Sequence, residues 1–236
     1  MKYFTADTHY SHFNICRGTS RWGTFLEDGT FEVSKNNTRD FATIDEMNRA
    51  IINAINSKVG ENDELYHLGD WSFNGIENIW NIRKQIKCKT IHLVFGNHDH
   101  HIERNRILPN CHYNIIDEVE IVDGPIVDGP NPKKYGDSRD KLFDVYAQDL
   151  FTTTQEILNL KIGKQLIVLS HYPMEQWRDM DLGAWHLHGH CHGNLPKTQF
   201  KRIDIGLDAT GFRILSLEDI KTIMSKKINK IHHEKK

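Results

Sequence analysis

Short apolar runs bounded by polar turns alternate along this chain with stretches whose apolar residues recur every three or four positions. Lys2 to Ala6 reads as a strand that delivers Asp7, Thr8 and His9 to a loop. A loop from about Gly18 to Asn37 follows, long enough to suggest a functional segment. Thr43-Ile44-Asp45-Glu46 is a capping box that opens a helix through about Val59, with Ile44, Met47, Ile51 and Ile55 at helical spacing. Glu64 to Leu68 is a strand ending in Gly69-Asp70. A helix over Ile76 to Ile86 leads into a strand over Thr90 to Phe95, which ends in Gly96-Asn97-His98-Asp99. The pattern then loosens: Val122-Asp-Gly-Pro125 is echoed by Val127-Asp-Gly-Pro130 in a stretch rich in Gly, Pro, Asp and Lys. This reads as an insertion at about 123–161, with a helix near Phe143 to Leu158. Gln165 to Leu169 is a buried strand ending in Ser170-His171-Tyr172-Pro173, and another strand reaches His188 and turns at Gly189. Lys201 to Ile205 and Phe212 to Leu215 read as final strands, and Ser216 to Asp219 caps a helix carrying Ile220, Ile223 and Met224. The expectation is one α/β domain over residues 1–236 with an insertion.

Composition narrows the class. With 236 residues, 38% of them hydrophobic, the chain can bury one large core. No apolar run reaches membrane-spanning length and the start MKYFTADTH lacks a signal-peptide pattern, so the expected setting is the cytoplasm, away from membranes. Cys16, Cys88, Cys111 and Cys191 show no CxxC spacing and fit reduced thiols. A formal charge of −2 argues against a generic polyanion binder. Fifteen histidines are many, and their clustering matters more than their number: His186, His188, His190 and His192 occupy every second position.

Five predicted strands end in metal-competent residues: Asp7/His9, Gly69-Asp70, Gly96-Asn97-His98-Asp99, His171 and Gly189-His190-Cys191-His192. Open α/β sheets place their sites at such carboxyl ends. A lone GD is a common turn and a lone HYP an ordinary loop; five in this order form a signal.

This series resembles the calcineurin-like metallophosphoesterase superfamily, whose pattern D-x-H, G-D, G-N-H-D/E, H and G-H-x-H is matched from residue 7 to residue 192. The phrases DTHYSHFNI, LYHLGDWSF and LSHYPM are similar to the small stand-alone phosphoesterases of bacteria and their phages. The resemblance implies a two-sheet α/β sandwich with flanking helices. It implies hydrolysis of phosphate mono- or diesters by a metal-bridging hydroxide. It assigns Asp7, His9 and His192 to one metal, Asn97, His171 and His190 to a second, and Asp70 to both. Mixed carboxylate, amide and imidazole donors suit divalent transition metals, with Mn²⁺ the expected pair and Fe²⁺, Zn²⁺ or Ni²⁺ as alternatives. Two such ions clamp a phosphoryl oxygen and activate water. His98, left without a metal, is placed to protonate the leaving oxygen, and Asp99 to orient its imidazole.

Other residues carry weaker expectations. His12 and Asn14 follow the first motif closely enough to contact substrate phosphate, and Arg17 and Arg21 could stabilise a phosphoryl transition state. His186 and His188 read as core or supporting residues on their strand, His67 as a packed core histidine, Cys191 as a non-ligand, and Asp204 and Asp208 as turn residues near the site. The substrate is a phosphate ester, with a nucleotide or nucleic acid among the candidates. A nuclease acting on nucleic-acid ends is the alternative enzyme, with Lys133, Lys134, Arg139 and Lys141 as its compact basic group. A catalytically inactive binding module is the alternative of another class; intact His98 and all seven ligand positions argue against it. The adjacent Asp and His of a metallo-β-lactamase HxHxDH pattern are absent.

Overall fold

The computed structural model describes residues 1–16, 23–25, 31–33, 39–116, 118–123 and 142–229. In chain order, β1 (Lys2–Thr5), the single turn α1 (Phe13–Cys16) and the short strands β2 (Gly23–Phe25) and β3 (Phe31–Val33) precede the long helix α2 (Ile44–Lys58). Then come β4 (Glu64–His67), α3 (Ile76–Arg83), β5 (Thr90–Val94) and α4 (His100–Glu103). A middle segment forms β6 (Ile107–Ile116), β7 (Glu118–Asp123) and β8 (Leu142–Tyr146). The remainder is β9 (Thr153–Gln155), β10 (Ile157–Ile162), β11 (Gln165–Ser170), β12 (Trp185–His188), β13 (Arg202–Asp204), α5 (Leu207–Thr210), β14 (Leu215–Ser216) and α6 (Leu217–Met224).

Two sheets make the body. The first has the order β14-β1-β4-β5-β9, the second β10-β11-β12-β13. Within them β1, β4, β5 and β9 run parallel, as do β11, β12 and β13, while β14 and β10 are antiparallel edges. Strand alternation sorts the side chains into layers. Phe4, Tyr66 and Val94 of the first sheet meet Ile167, Leu169, Trp185 and Leu187 of the second in the core between them. The opposite face of the first sheet, with Tyr3, Leu65, Ile91 and Leu93, is covered by Met47, Ile51 and Ile55 of α2 and by Ile79 and Ile82 of α3. This is the α/β sandwich with flanking helices.

Helix α2 starts where the sequence says: Thr43 accepts from the Glu46 N–H at 3.1 Å, while the Glu46 carboxylate takes the Ala42 N–H rather than that of Thr43. At α6 the box closes fully between Ser216 and Asp219. Three expectations need correction. The helix expected near Phe143 to Leu158 is absent: β8, a 3-10 turn at Ala147–Leu150, β9 and the start of β10 occupy it. Strand β9 extends the first sheet beside β5 and β10 the second beside β11, so residues 153–161 belong to the sandwich. The departure from the sheets begins at Ile107 instead, where β7-β6-β8 form a separate three-stranded sheet. Finally, the strand expected over Phe212 to Leu215 is only Leu215–Ser216, because Phe212 has φ 62° and cannot extend. Among the described residues no helix is long and apolar enough to cross a membrane.

Candidate metal centre

The parallel strands β1, β4 and β5 of one sheet, and β11 and β12 of the other, release their chains at the same end of the sandwich. There the five motifs meet. Asp7, His9, Asp70, His190 and His192 all have left-handed backbones, with φ from 47° to 69°. Non-glycine residues rarely adopt that conformation outside sites whose surroundings enforce it. The enforcing bonds run between loops. Asp7 N–H donates to Gly69 O, His9 N–H to Asp70 O, and His190 N–H to the Asp7 carboxylate, each at 2.9–3.0 Å. Gly69 and Gly96 face each other so closely that a Cβ on Gly69 would lie 2.6 Å from Gly96 N, and one on Gly96 2.5 Å from Asp70 N. The glycines of the GD and GNHD motifs therefore let two ligand-bearing turns touch.

Asp70 occupies the middle. Its Oδ2 lies 3.4 Å from His9 Nε2 and 3.5 Å from His171 Nε2, while Oδ1 accepts the His98 N–H at 2.9 Å. On one side, Asp7, His9 and His192 each present an atom within 4.8 Å of the others'. On the other, Asn97 Oδ1 lies 3.1 Å from His171 Nε2 and 3.0 Å from His190 Nδ1. Asp7, Asp70 and His171 form a second such group. His171 Nδ1, at 3.8 Å from Asp7, is committed to the Leu68 carbonyl at 2.8 Å.

These donors fit cations. A carbonyl only accepts, so His171 Nδ1 carries the ring proton and Nε2 turns a lone pair toward Asp70 and the Asn97 oxygen. Lone pair faces lone pair, an arrangement that a cation relieves. Both ring nitrogens of His9 are buried without a hydrogen bond, which is costly for a group with no ligand to bind. Burial, with Arg39 and His192 adding to it, holds the His9 imidazole well below its usual pKa. Burial and the nearby Asp204 push the Asp7 carboxyl well above the usual carboxylate range. The His9 imidazole is thus held neutral, the form a metal ligand needs, while the Asp7 carboxyl is one that a bound cation would draw into its carboxylate form.

The residues expected to touch substrate divide. A cavity of about 200 Å³ is lined by His12, Asn14 and His98 together with the ligand candidates His9, Asp70, Asn97, His190 and His192. His12 stacks on Phe73 at 3.7 Å between ring centroids, and Phe73 also contacts the rings of His98 at 4.6 Å and His9 at 5.5 Å. Burial lowers the His12 pKa to about 4, so it faces the cavity as a neutral ring. Arg17, Arg21, the echoed VDGP turns beyond Asp123 and the basic group Lys133, Lys134, Arg139 and Lys141 lie outside the described residues.

A family model for calcineurin-like phosphoesterases matches residues 3–198. The chain belongs to that family. Among solved structures, a protein of unknown function, AQ665 from Aquifex aeolicus, shares the fold with a TM-score of 0.55. It is 19% identical, and the likeness covers 94% of this chain and 98% of that one. The comparison with curated protein sequences found no match to this chain.

Two placements in this member of the family differ from expectation. Asp99 does not reach the His98 ring: its Oδ2 accepts from Asp70 N and Gly96 N, and its Oδ1 from Trp71 N, at 2.8–2.9 Å. It fastens the GD turn to the GNHD turn, and the His98 ring is braced by Phe73 instead. Burial, then the neighbouring Asp70, raises the Asp99 pKa to about 7. The second difference is a missed pair. Asp208 Oδ2 accepts from His192 Nδ1 at 2.7 Å, and Arg39, 1% exposed, pairs with both Asp208 oxygens at 2.8 and 3.0 Å. Burial alone would raise the Asp208 pKa, but Arg39 and His192 outweigh it and hold it below the usual range. Asp204 spends its carboxylate on the Gly193 and Gly206 N–H groups.

The alternating histidines resolve by face. His186 and His188 point to the side of β12 away from the inter-sheet core, where His186 takes the Met174 N–H on Nε2 and gives Nδ1–H to Val168 O, both at 3.0 Å. His188 gives Nδ1–H to Gly189 O at 2.9 Å. His67 packs against Trp71 with its Nε2 2.9 Å from Thr8 Oγ1. Beyond Gly189 the left-handed turns at His190 and His192 send the first ring to Asn97 and the second to Asp208.

Proposed function

We propose that this chain hydrolyses phosphate esters with two divalent transition-metal ions, Mn²⁺ foremost. Asp7, His9 and His192 would hold one ion, Asn97, His171 and His190 the other, with Asp70 shared. The observation that carries this reading is the single Asp70 oxygen lying 3.4–3.5 Å from imidazole nitrogens of two different ligand groups. The chemistry such a pair supplies is a lowered pKa for water and neutralisation of charge growing on the phosphoryl oxygens. The chain's own residues then have distinct tasks. Attack of water on phosphorus leaves an alkoxide that needs a proton, and His98, in the cavity wall and outside both ligand groups, is the donor. His12 and Asn14 border the same cavity and are the contacts for the phosphoryl oxygens or the leaving group.

The test joins metal analysis to a substrate screen. The wild-type protein should take up two Mn²⁺ per chain and hydrolyse aryl phosphate mono- or diesters. Asp70→Asn should weaken both ions together, because one carboxylate serves the two. Full double occupancy in Asp70→Asn would refute the sharing. A metal-loaded wild-type protein inert toward both ester classes would favour the binding-module reading.

A further inference from the structure

We infer that Arg39 is a positioning residue that acts preferentially on one of the two ions, the one assigned to Asp7, His9 and His192. This rests on the two-ion reading above. Arg39 is fully buried, and its guanidinium fork is spent on three partners. One amino group donates to the Asp7 carbonyl, the other to the Thr8 carbonyl at 3.1 Å, and Nε and one amino group grip the two oxygens of Asp208. Asp208 in turn takes the Nδ1 proton of His192 at 2.7 Å, which leaves Nε2 as that ring's lone pair.

The consequence is directional. The carbonyls of Asp7 and Thr8 belong to the left-handed turn that aims Asp7 and His9, and Asp208 sets the rotation and tautomer of His192. One side chain thereby fixes all three residues of a single ligand group. Among the described residues, the hydrogen bonds of Arg39 reach none of Asn97, His171 or His190 directly; the link to that group runs through the Asp7 carboxylate, which accepts the His190 N–H at 3.0 Å. The second group has its own anchor, the Leu68 carbonyl on His171. A buried ion pair serving only the scaffold would have no reason to favour one ion over the other.

Lysine keeps the charge but cannot span two carbonyls and a bidentate carboxylate, so Arg39→Lys separates geometry from charge. Metal-free protein is titrated with Mn²⁺ by calorimetry, beside wild type and His171→Ala, which marks the event belonging to the second ion. In Arg39→Lys the other event should weaken by roughly 10–100-fold, the range for partners that orient a metal ligand, while the marked event persists. Equal weakening of both events, or of neither, overturns the inference and makes Arg39 a scaffold residue. If Arg39→Lys does not fold, Asp208→Asn decides by the same readout, since it leaves Arg39 in place and weakens the hold on His192. A wild-type protein that takes up no Mn²⁺ overturns the two-ion reading itself, and a wild type with two events but no selectivity in the variants overturns this inference alone.

Discussion

Replacing His186 by glutamine tests whether the first half of the histidine row is structural. His186 is fully buried, and both ring nitrogens are satisfied by backbone groups of Val168 and Met174. Burial lowers its pKa from 6.5 to about 4. In the unfolded chain the ring gains its proton as pH falls through 6.5; in the folded chain it stays neutral until about pH 4. The unfolded state therefore binds more protons in this window, and stability that is complete above pH 6.5 is lost on acidification. At pH 5 the loss works out at about 2 kcal/mol, approaching about 3.4 kcal/mol below pH 4, since each tenfold change in proton affinity is worth about 1.36 kcal/mol. Glutamine can copy the two bonds, accepting from Met174 N–H and donating to Val168 O, but it does not titrate. His186→Gln should thus cost no more than about 1 kcal/mol near neutrality. Relative to wild type it should regain about 2 kcal/mol at pH 5. Urea unfolding of both metal-free proteins at the two pH values measures this, and the titration of His67, which His186 does not influence, cancels in the difference. Equal acid losses in the two proteins would refute the argument, and loss of an ion in His186→Gln would make the residue a ligand.

Two further outcomes follow from the site geometry. His98→Asn should retain both ions yet lose roughly 10²–10⁴-fold in turnover on esters with alkyl leaving groups, and much less on activated aryl esters, whose anions depart without a proton; an equal loss on both, or a missing ion, would remove the proton-donor role. Gly96→Ala places a methyl 2.5 Å from Asp70 N, so the two turns must part: a loss of about 1–3 kcal/mol in unfolding free energy and weaker binding of both ions are expected, and unchanged metal titration would show the close contact to be dispensable.

What the sequence reveals about this site is what chain-local physics controls. Strand ends are visible because apolar alternation stops at Ala6, Leu68, Phe95 and Ser170, and glycines mark the turns that must touch. The misread helix at Phe143 to Leu158 shows the limit. Its apolar residues can be placed on a helical face, but Leu158, Leu160 and Ile162 alternate with Ile157, Asn159 and Lys161, and the burial follows that period of two. Extending the window by four residues exposes the strand, and pairing with β5 and β11 then overrides helical spacing. Asp99 misleads for a different reason. Adjacency to His98 suggests a shared task, yet the turn that carries them sends one side chain into the cavity wall and the other inward to three backbone N–H groups. Arg39 and Asp208 lie 169 positions apart, and nothing near either marks it as buried.

That hidden pair and Asp99 share one physical task, which explains why the ligands can sit where they do. Five ligand candidates hold left-handed backbones, at a cost of order 1–3 kcal/mol each when nothing supports them. In an unsupported loop the strain would relax by rotating the very side chains that must converge. Here each of the five is tied to another segment: Asp70 by Asp99, His9 by the Asp70 carbonyl, His190 by the Asp7 carboxylate, Asp7 by Arg39, and the His192 ring by Asp208. The carboxylates and guanidinium that do this are buried, where a hydrogen bond is stronger and an unmade one costlier than in water. The strain and its restraints are thus built from the same cross-loop bonds. An ion entering such a site spends little of its binding energy on ordering the chain.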